Sequence, residues 1–388
     1  MSVMTRSRIQ TPLATDEDAD AIAAFYREAW GQEITAESVL ASRRRAAAAN
    51  AATPGEAPPT AIVLEGSRVI GYCGSISQRL WDGVAEHPAH WVKGLMVLPA
   101  YRGGPIGFLV VKELAAQLTR AAALVVAPAA RRLFSALGYT DLGAATNWVR
   151  PLRAARLARR LDVGALGLGL PPWVTAGIGV AQRAGLAGLV GGAAGVALDV
   201  GAAAARRAAG RLAAACATEP PSRDELDDVW RDTRRTLAAS PVRDGQYLRQ
   251  RFGDDATGGN PYEFVTARDG ARLVGSAVLR RPRAIGDTRL RGLRVGTISD
   301  VVFPPHRADV GLALLGGVER AARAAGADAI LCTTSHPALA RLLRSQAYIP
   351  LAGNVHFLLR DTTAATPWPP DLASWWLARG DSDADEVF

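Results

Sequence analysis

The sequence predicts an α/β (α+β) protein of two similar domains, each a mixed central sheet flanked by helices. Three observations lead to this prediction. A chain of 388 residues is too long for one ordinary hydrophobic core. Strand-like apolar segments alternate with segments of helical periodicity. Short motifs of the first half also recur about 205 residues later, so both halves are expected to form the same kind of domain.

The N-terminal domain is predicted over residues 1–150. Acidic residues near its start precede apolar residues at helical spacing, a pattern typical of an amphipathic helix. Alternating apolar residues on both sides of Gly66-Ser67 indicate a hairpin. The predicted elements are a strand at 8–14, a helix at 16–30, a loop at 46–60, a hairpin at 61–76, a strand at 92–98, a helix at 107–120, a strand at 122–127 and a helix at 129–137.

The C-terminal domain, predicted over residues 223–388, is expected to repeat this order. Val69-Ile-Gly-Tyr72 corresponds to Leu273-Val-Gly-Ser276, and Val97-Leu-Pro-Ala-Tyr-Arg102 corresponds to Val302-Phe-Pro-Pro-His-Arg307. A repeat of this length is too long for a solenoid unit, so it indicates two copies of one domain. A chance similarity between two α/β segments is the alternative.

Residues 151–222 are a basic, Ala/Gly-rich connector that is predicted to be largely helical. Nine arginines stand against two aspartates between residues 150 and 211, so this segment carries most of the net charge of +8. Its apolar stretch at 163–181 contains five glycines and two prolines, which disfavours a membrane-spanning helix. Helices packed on the domains or on another subunit, and a segment that contacts a membrane surface, are the other interpretations.

Composition argues against several classes of protein. Cys73, Cys216 and Cys332 lie far apart, so neither a disulfide framework nor a zinc site is expected. Residues 1–13 lack the apolar segment of a secretory signal, and we therefore expect a cytoplasmic location. Nucleic-acid binding is disfavoured because the positive charge lies in the connector, without interleaved aromatic residues.

A glycine-rich loop joins the predicted strand at 92–98 to the predicted helix at 107–120. Its sequence is Arg102-Gly-Gly-Pro-Ile-Gly107. Free backbone N–H groups and the positive end of the helix dipole meet at such a loop, and both favour an anion such as phosphate. Pro105 removes one N–H donor. The alternative is an ordinary strand–helix joint in which the glycines only permit a tight turn.

This segment resembles the acyl-CoA-binding motif of the GCN5-related N-acetyltransferases (GNAT proteins), whose loop reads Arg/Gln-x-x-Gly-x-Gly/Ala. The resemblance implies a GNAT-like fold, acetyl-CoA or another acyl-CoA as co-substrate, and no metal. It also implies that backbone amides hold the CoA pyrophosphate and that one amide polarises the thioester carbonyl. Pro105 stands in place of one motif glycine. The implied cofactor-binding residues are Met96 or Val97 for the carbonyl, and Arg102, Gly103, Gly104, Ile106 and Gly107 for the phosphates.

Transfer of an acyl group to an amine needs a base for the ammonium proton. Many members of the family carry a tyrosine on the last helix as the acid, and Phe134 stands at that position here. The candidate catalytic residues are Glu86 and His90, just before the motif strand, and Asp300, on an otherwise apolar strand of the second copy. A solvated polar loop is the alternative for the first two, and a hydrogen-bonded structural carboxylate is the alternative for Asp300.

The whole chain resembles tandem GNAT-fold proteins associated with bacterial exopolysaccharide biosynthesis, through segments 148–152, 242–252 and 376–383. This resemblance implies direct transfer in a ternary complex to a small-molecule amine such as an amino sugar. The second copy lacks the glycine-rich loop and places Asp309 beside the corresponding turn, so we expect it not to bind CoA. A tRNA-dependent aminoacyl transferase with the connector on RNA, and a non-catalytic interaction protein, are the alternative functions.

Overall fold

The computed structural model divides the chain into two compact units. The first comprises Met1–Leu80, Glu86–Gly143 and His356–Trp368, and the second comprises Trp81–Ala85, Ala144–Val355 and Pro369–Phe388. Segments from both ends of the chain therefore enter the first unit. The structure describes residues 9–50, 53–160, 176, 180–182, 184, 186–209, 212–217, 219–253, 259–284, 292–363, 368–382 and 385.

The first unit contains the predicted amphipathic helix, the predicted hairpin and the predicted βαβα segment. Two details of the prediction are wrong: the first strand is shorter than residues 8–14, and a second helix extends into the loop expected at 46–60. The elements are β1 (Ile9–Gln10), α1 (Ala19–Trp30), α2 (Ala36–Ala48), β2 (Ala61–Glu65), β3 (Arg68–Trp81), β4 (Glu86–Val97), α3 (Ile106–Gln117), β5 (Arg120–Leu124) and α4 (Pro128–Ala136).

The sheet of the first unit is mixed. β1, β2 and β3 pair antiparallel, β4 lies between β3 and β5, and β4 and β5 pair parallel. α1 and α3 bury apolar side chains such as Phe25, Val110 and Leu114 in one core with Ile62 and Ile70 of the sheet. Burial of such side chains is the main contribution to the stability of the unit.

The second unit contains the connector helices, a hairpin and a second βαβα segment. It receives residues 144–151 of β6 (Thr140–Pro151) and the first residues of β13 (Ile349–Asp361). The elements between them are α5 (Ala154–Arg160), α6 (Ala187–Ala209), β7 (Ala214–Cys216), α7 (Arg223–Arg234), β8 (Ser240–Pro241), α8 (Gly245–Phe252), β9 (Tyr262–Asp269), β10 (Arg272–Ala284), β11 (Arg294–Val302), α9 (Ala308–Ala324), β12 (Ala329–Thr334) and α10 (Pro337–Ser345).

The sheet of the second unit repeats the pairing order of the first. β7, β9, β10 and β11 pair antiparallel in turn, and β11 and β12 pair parallel. In both units an antiparallel hairpin therefore precedes one parallel pair of strands. In the chain, α3 connects the two parallel strands of the first unit, and α9 connects those of the second. This shared order agrees with the repeat seen in the sequence.

The last strand of each sheet comes from the other half of the sequence. β6, which follows α4 in the chain, pairs antiparallel with β12 of the second unit. β13, near the C-terminus, pairs antiparallel with β5 of the first unit, where Phe357 lies opposite Leu124. The division predicted at residues 150 and 222 does not include this exchange.

Part of the connector lies outside the described residues, including most of the apolar stretch at 163–181. In the part that the structure describes, α5 packs against α6. Residues Ala187–Ala208 of α6 are long and apolar enough to cross a membrane, judged by length and by a mean hydropathy of 1.5 alone. Only 22% of that apolar window is buried within the protein.

Candidate functional site

β4 and β5 separate in the middle of β4. Their parallel pairing runs from His90 opposite Ala121 to Val92 opposite Ala123 and ends there. Gly94 has a φ of +60°, a conformation that bends a strand as a β-bulge does. Residues 93–97 are all partly exposed. The second half of β4 therefore has an edge that β5 no longer covers.

The loop after β4 presents unpaired backbone amides. Gly103 has a φ of +83°, which a residue with a side chain rarely adopts. No side chain caps the N-terminus of α3. Within residues 101–117, all of which are described, the amides that donate to no described residue are those of Gly103, Gly104, Ile106, Gly107 and Phe108. Five free donors at a helix N-terminus are suited to bind an anion.

Pro105 is the N-cap of α3 and fits the helix. Its φ of −77° and ψ of −6° are already helical, and its carbonyl oxygen accepts a hydrogen bond from the Leu109 N–H at 2.9 Å. The fixed φ of proline suits the start of a helix, where an N–H has no intrahelical partner. Pro105 therefore removes one donor from the loop without distorting the helix that carries the others.

Val97 directs its backbone polar groups away from β3. The N–H of the next residue, Leu98, donates to the carbonyl oxygen of Ile70 in β3 at 3.0 Å. Because successive residues of a strand point their N–H groups to opposite edges, the Val97 N–H points to the edge that β5 has left. The Nε of Arg102 donates to the carbonyl oxygen of Val97 at 3.0 Å, so Arg102 lies at the same edge.

Val125 follows β5 directly and has a strained backbone. Its φ of +58° is rare for a β-branched residue. Strain of this kind costs on the order of 1–3 kcal/mol and is found mostly at functional sites. It lies immediately after β5, the strand from which β4 separates.

In the second unit, the C-terminal segment fills the corresponding gap. The pairing of β11 and β12 ends at Ile298 opposite Cys332. Beyond that point the Nε1 of Trp376 donates to the carbonyl oxygen of Val301 at 3.0 Å. A Cβ on Gly380 would lie only 2.8 Å from the carbonyl oxygen of Ser299. Residues 295–303 are all buried, in contrast to the partly exposed residues at the end of β4.

The loop of the second unit differs from that of the first by an acidic residue at the helix start. Asp309 lies in the first turn of α9 and forms an ion pair with Arg307, with 2.7 Å between Oδ2 and Nη2. The Arg307 side chain lowers the pKa of Asp309, and hydrogen bonds from backbone amides at the start of α9 add to this effect. The Asp309 carboxylate therefore lies in the first turn of α9, where it disfavours an anion at the first amides of that helix.

The protein is similar to known proteins in structure and not in sequence. No protein-family model matches the sequence, and no curated protein matches it. A GCN5-related N-acetyltransferase from Anabaena variabilis is similar with a TM-score of 0.55 and 11% identity, over 92% of this chain and 73% of that one. A probable N-acyltransferase from Enterococcus faecalis has a TM-score of 0.56 and 10% identity over the same shares. The fold is that of the GCN5-related N-acetyltransferases.

An N-myristoyltransferase also has a similar structure. The Saccharomyces cerevisiae enzyme with bound myristoyl-CoA has a TM-score of 0.55 and 12% identity, over 93% of this chain and 80% of that one. Identities this low show the fold alone. The GNAT fold nevertheless confirms the predicted fold class, and the match extends over both units.

The GNAT fold brings together the seven predicted cofactor-binding residues, but it does not bring the predicted bases to them. Glu86 forms an ion pair with Arg79, with 2.6 Å between Oε2 and Nη1. His90 lies six residues before Met96 on the same strand, or about 20 Å at 3.3 Å per residue, and Glu86 lies further away still. Proton transfer needs hydrogen-bond distance, so these two residues do not reach an amine held at Val97. Burial also lowers the pKa of His90 to about 4.

Phe134 is a core residue of the GNAT fold in this chain. It is buried and its ring packs edge-on against Tyr139, with 4.9 Å between the ring centroids. Tyr139 lies just after α4 in the chain, and burial raises the pKa of its hydroxyl group. The position at which many family members carry a catalytic tyrosine therefore supplies no phenol here.

Asp300 is a hydrogen-bonded structural carboxylate. Its Oδ1 accepts a hydrogen bond from Arg243 Nε at 2.7 Å, and Arg243 Nη2 also donates to Asp381 at 2.6 Å. All three side chains are fully buried. A carboxylate held in this way has no access to a substrate amine, so the catalytic role expected for Asp300 is wrong.

The Arg243–Asp300–Asp381 triad is expected to make stability depend on pH. Burial raises the pKa of Asp381 from 3.8 to about 7, opposed by Arg243 and assisted by the charge of Asp300. The folded-state pKa lies above the unfolded value, so this stabilising contribution is complete below about pH 4 and is lost as pH rises to about 7. Asp300→Asn removes one of the two negative charges and should lower the pKa of Asp381, so that the variant loses less stability than the wild type as pH rises.

Urea unfolding of the wild type and Asp300→Asn at about pH 5 and about pH 8 measures this effect. The change in unfolding free energy between the two pH values should be compared between the two proteins, because His336 makes stability depend on pH in the opposite direction. Burial lowers the pKa of His336 to about 4, so the stability that the neutral His336 side chain contributes is lost as pH falls. Parallel pH profiles for the two proteins would contradict the effect of the Asp300 charge on Asp381.

An aromatic cluster beside the Gly94 bulge was not predicted as part of the site. A Cβ on Gly94 would lie 3.4 Å from the Tyr72 ring and 4.0 Å from the Trp30 ring. Tyr26 packs against Trp30 with 4.5 Å between centroids and against Tyr72 with 5.5 Å. A glycine inside an apolar strand was the sequence signal for the bulge, but no local pattern brings these three rings together.

Proposed function

We propose that this protein is an acyl-CoA-dependent N-acyltransferase that transfers an acetyl group from acetyl-CoA to the amine of a small molecule. The free backbone amides at the N-terminus of α3, next to the open edge of β4, are the observation that carries this proposal. They provide a phosphate site without a metal. The GNAT fold and its acyltransferase neighbours support the same general activity.

The donor would bind along the first unit in two parts. The CoA pyrophosphate would accept hydrogen bonds from the amides between Gly103 and Phe108 and would lie at the positive end of α3. The pantetheine arm would lie along the open edge of β4 and pair with its backbone as an added strand does. Arg102, at the same edge, adds positive charge for the phosphates.

The acyl transfer needs one backbone donor at the thioester. The amine nitrogen attacks the carbonyl carbon while CoA is bound, and the resulting oxyanion accepts a hydrogen bond from the Val97 N–H. The C–S bond then breaks, and the sulfur leaves as a thiolate. The nitrogen loses its proton to water at the partly exposed end of β4, because neither Glu86 nor His90 reaches this point.

The acceptor would approach the partly exposed Tyr26 and Trp30 of the aromatic cluster, which the buried Tyr72 supports from below. The resemblance to tandem proteins of exopolysaccharide biosynthesis favours an amino sugar, whose apolar ring face packs well on aromatic side chains. The use of acetyl-CoA agrees with the predicted cytoplasmic location. The filled gap of the second unit supports one donor site per chain.

Gly104→Glu is expected to weaken acetyl-CoA binding at least about 100-fold in a calorimetric titration. A carboxylate about 4 Å from a phosphate is repelled by about 4 kcal/mol at an effective dielectric constant near 20. Gly104→Ala is the matched control, because the nearest atom to a Cβ at this position is the Tyr101 carbonyl oxygen at 3.5 Å. This variant should bind as the wild type does.

Asp309→Gly tests the assignment of the donor site to the first unit and should leave the affinity unchanged. The opposite result, in which the change at residue 309 alters binding and the change at residue 104 does not, would overturn that assignment. Absence of binding at millimolar acetyl-CoA would refute the acyltransferase. Salt-sensitive tRNA binding would then favour the aminoacyl transferase, and no binding of either would favour an interaction protein.

A further inference from the structure

α6 presents an apolar face that no described residue covers. Leu189, Val196 and Val200 are 74%, 66% and 65% exposed. Their spacing of seven and four residues places them on one side of the helix, and Arg207 lies seven residues further along the same side. A helix of a soluble domain normally turns its apolar side toward a core. These three residues, called the α6 stripe, therefore mark an interaction surface.

The opposite side of α6 is already packed within the second unit. A Cβ on Gly191 would lie 2.6 Å from the Ala158 Cβ and 2.7 Å from the Ala154 carbonyl oxygen, so α5 approaches very closely. Asp199 accepts hydrogen bonds from Arg150 and Arg323. The side of α6 that carries Gly191 and Asp199 thus packs on the second unit, and the α6 stripe faces away from it.

A cavity of about 270 Å³ lies at the end of the α6 stripe, where Arg207 is one of the lining residues. It is bordered by α6, the segment 212–214 and α9, and Leu312 forms part of an apolar wall. Its charged lining residues are Arg206, Arg207, Arg320 and Asp309. This cavity, called the arginine cavity, is distinct from the loop before α3.

The arginine cavity carries surplus positive charge. Asp309 is paired with Arg307, and Arg206 is paired with Glu319, with 3.0 Å between Nη1 and Oε2. Across the described ranges, neither Arg207 nor Arg320 has a carboxylate partner. Two uncompensated guanidinium groups beside apolar side chains suit a phosphate that is attached to an apolar body.

We propose that the α6 stripe lies on the surface of a membrane that contains anionic lipid, with a lipid phosphate in the arginine cavity. The stripe and the cavity are adjacent, and their chemistries match the acyl region and the headgroup region of a bilayer. The helix lies on the membrane and does not span it, because the ion pairs of Asp199 would be placed in hydrocarbon by a spanning helix. This inference is independent of the proposed acyltransferase activity.

Flotation of the full chain with lipid vesicles tests the proposal. The wild type should float with vesicles of phosphatidylcholine and phosphatidylglycerol, and much less with phosphatidylcholine alone. Added salt should weaken the binding. Val200→Asp should lower the partition coefficient at least about tenfold, because an apolar contact is replaced by a charge. Arg207→Gln should lower it about fivefold, as expected for one basic residue near an anionic surface.

Two control variants carry the same substitutions at exposed residues outside the α6 stripe and the arginine cavity. Val84 is 85% exposed, and Arg44 is an exposed arginine of α2; Val84→Asp and Arg44→Gln should float as the wild type does. Equal loss in these controls, or no flotation of the wild type, would overturn the proposal. A dimer that Val200→Asp converts to a monomer would assign the stripe to a second copy instead. Protein that resists extraction by alkaline carbonate would show a spanning helix and would also overturn it.

Discussion

Arg243→Met is expected to destabilise the second unit by about 3–5 kcal/mol, the usual cost of leaving buried charges without their partner. Arg243 is fully buried and donates to Asp300, Asp381 and the hydroxyl of Ser240. Methionine fills a similar volume but leaves two carboxylates without a cation. Urea unfolding followed by tryptophan fluorescence measures the loss, since Trp375 and Trp376 lie in the same C-terminal segment as Asp381.

Arg231→Met is the matched control for this experiment. Its ion pair with Asp228 is about half exposed, so its removal should cost at most about 1 kcal/mol. Arg243→Met combined with Asp300→Asn should recover part of the lost stability, because one uncompensated charge is gone. Equal effects of the changes at residues 243 and 231 would refute the structural role of the triad.

Val97→Pro is expected to lower kcat by about 10²–10³, the effect of removing one donor from an oxyanion site. The proline takes away the N–H that points to the open edge of β4, where no strand hydrogen bond is lost. The affinity for acetyl-CoA should change much less, because the amides proposed to bind the phosphates remain. Thiol release from acetyl-CoA with glucosamine as the probe amine gives kcat, and calorimetry gives the affinity.

Val97→Ala separates the backbone effect from the loss of the side chain. It keeps the N–H and should retain turnover within a few-fold of the wild type. If Val97→Pro folds normally and turns over at the wild-type rate, the oxyanion is stabilised elsewhere. A loss of acetyl-CoA affinity that equals the loss of kcat would instead place Val97 in donor binding.

Local sequence patterns predicted the helices and strands of the first unit well. The hairpin around Gly66-Ser67 and the helix that begins at Ile106 carry their own signals, namely strand alternation, turn residues and helical periodicity. α2 was missed because Val39 is its only buried residue, so its apolar pattern is weak. The α/β class and the strand–loop–helix segment that carries the candidate site could therefore be predicted without the structure.

Long-range pairings could not be predicted from these patterns. Nothing local to Asp300 shows that Arg243 and Asp381 surround it, although an acid on an apolar strand signalled an unusual role. The same holds for the C-terminal segment, whose motif was recognised while its place beside β11 was not. The exchange of β6 and β13 has no local signal, because strand pairing depends on residues far apart in the chain.

The exchange means that β13, the partner of β5, is synthesised long after β5 itself. Leu124 at the end of β5 pairs with Phe357, and no earlier residue of the chain takes that place in the first unit. At about 5–20 residues per second, a ribosome needs roughly 10–50 s to make the intervening chain. Throughout that interval β5 is an uncovered edge in a half-made protein, open to pairing with a neighbouring nascent chain.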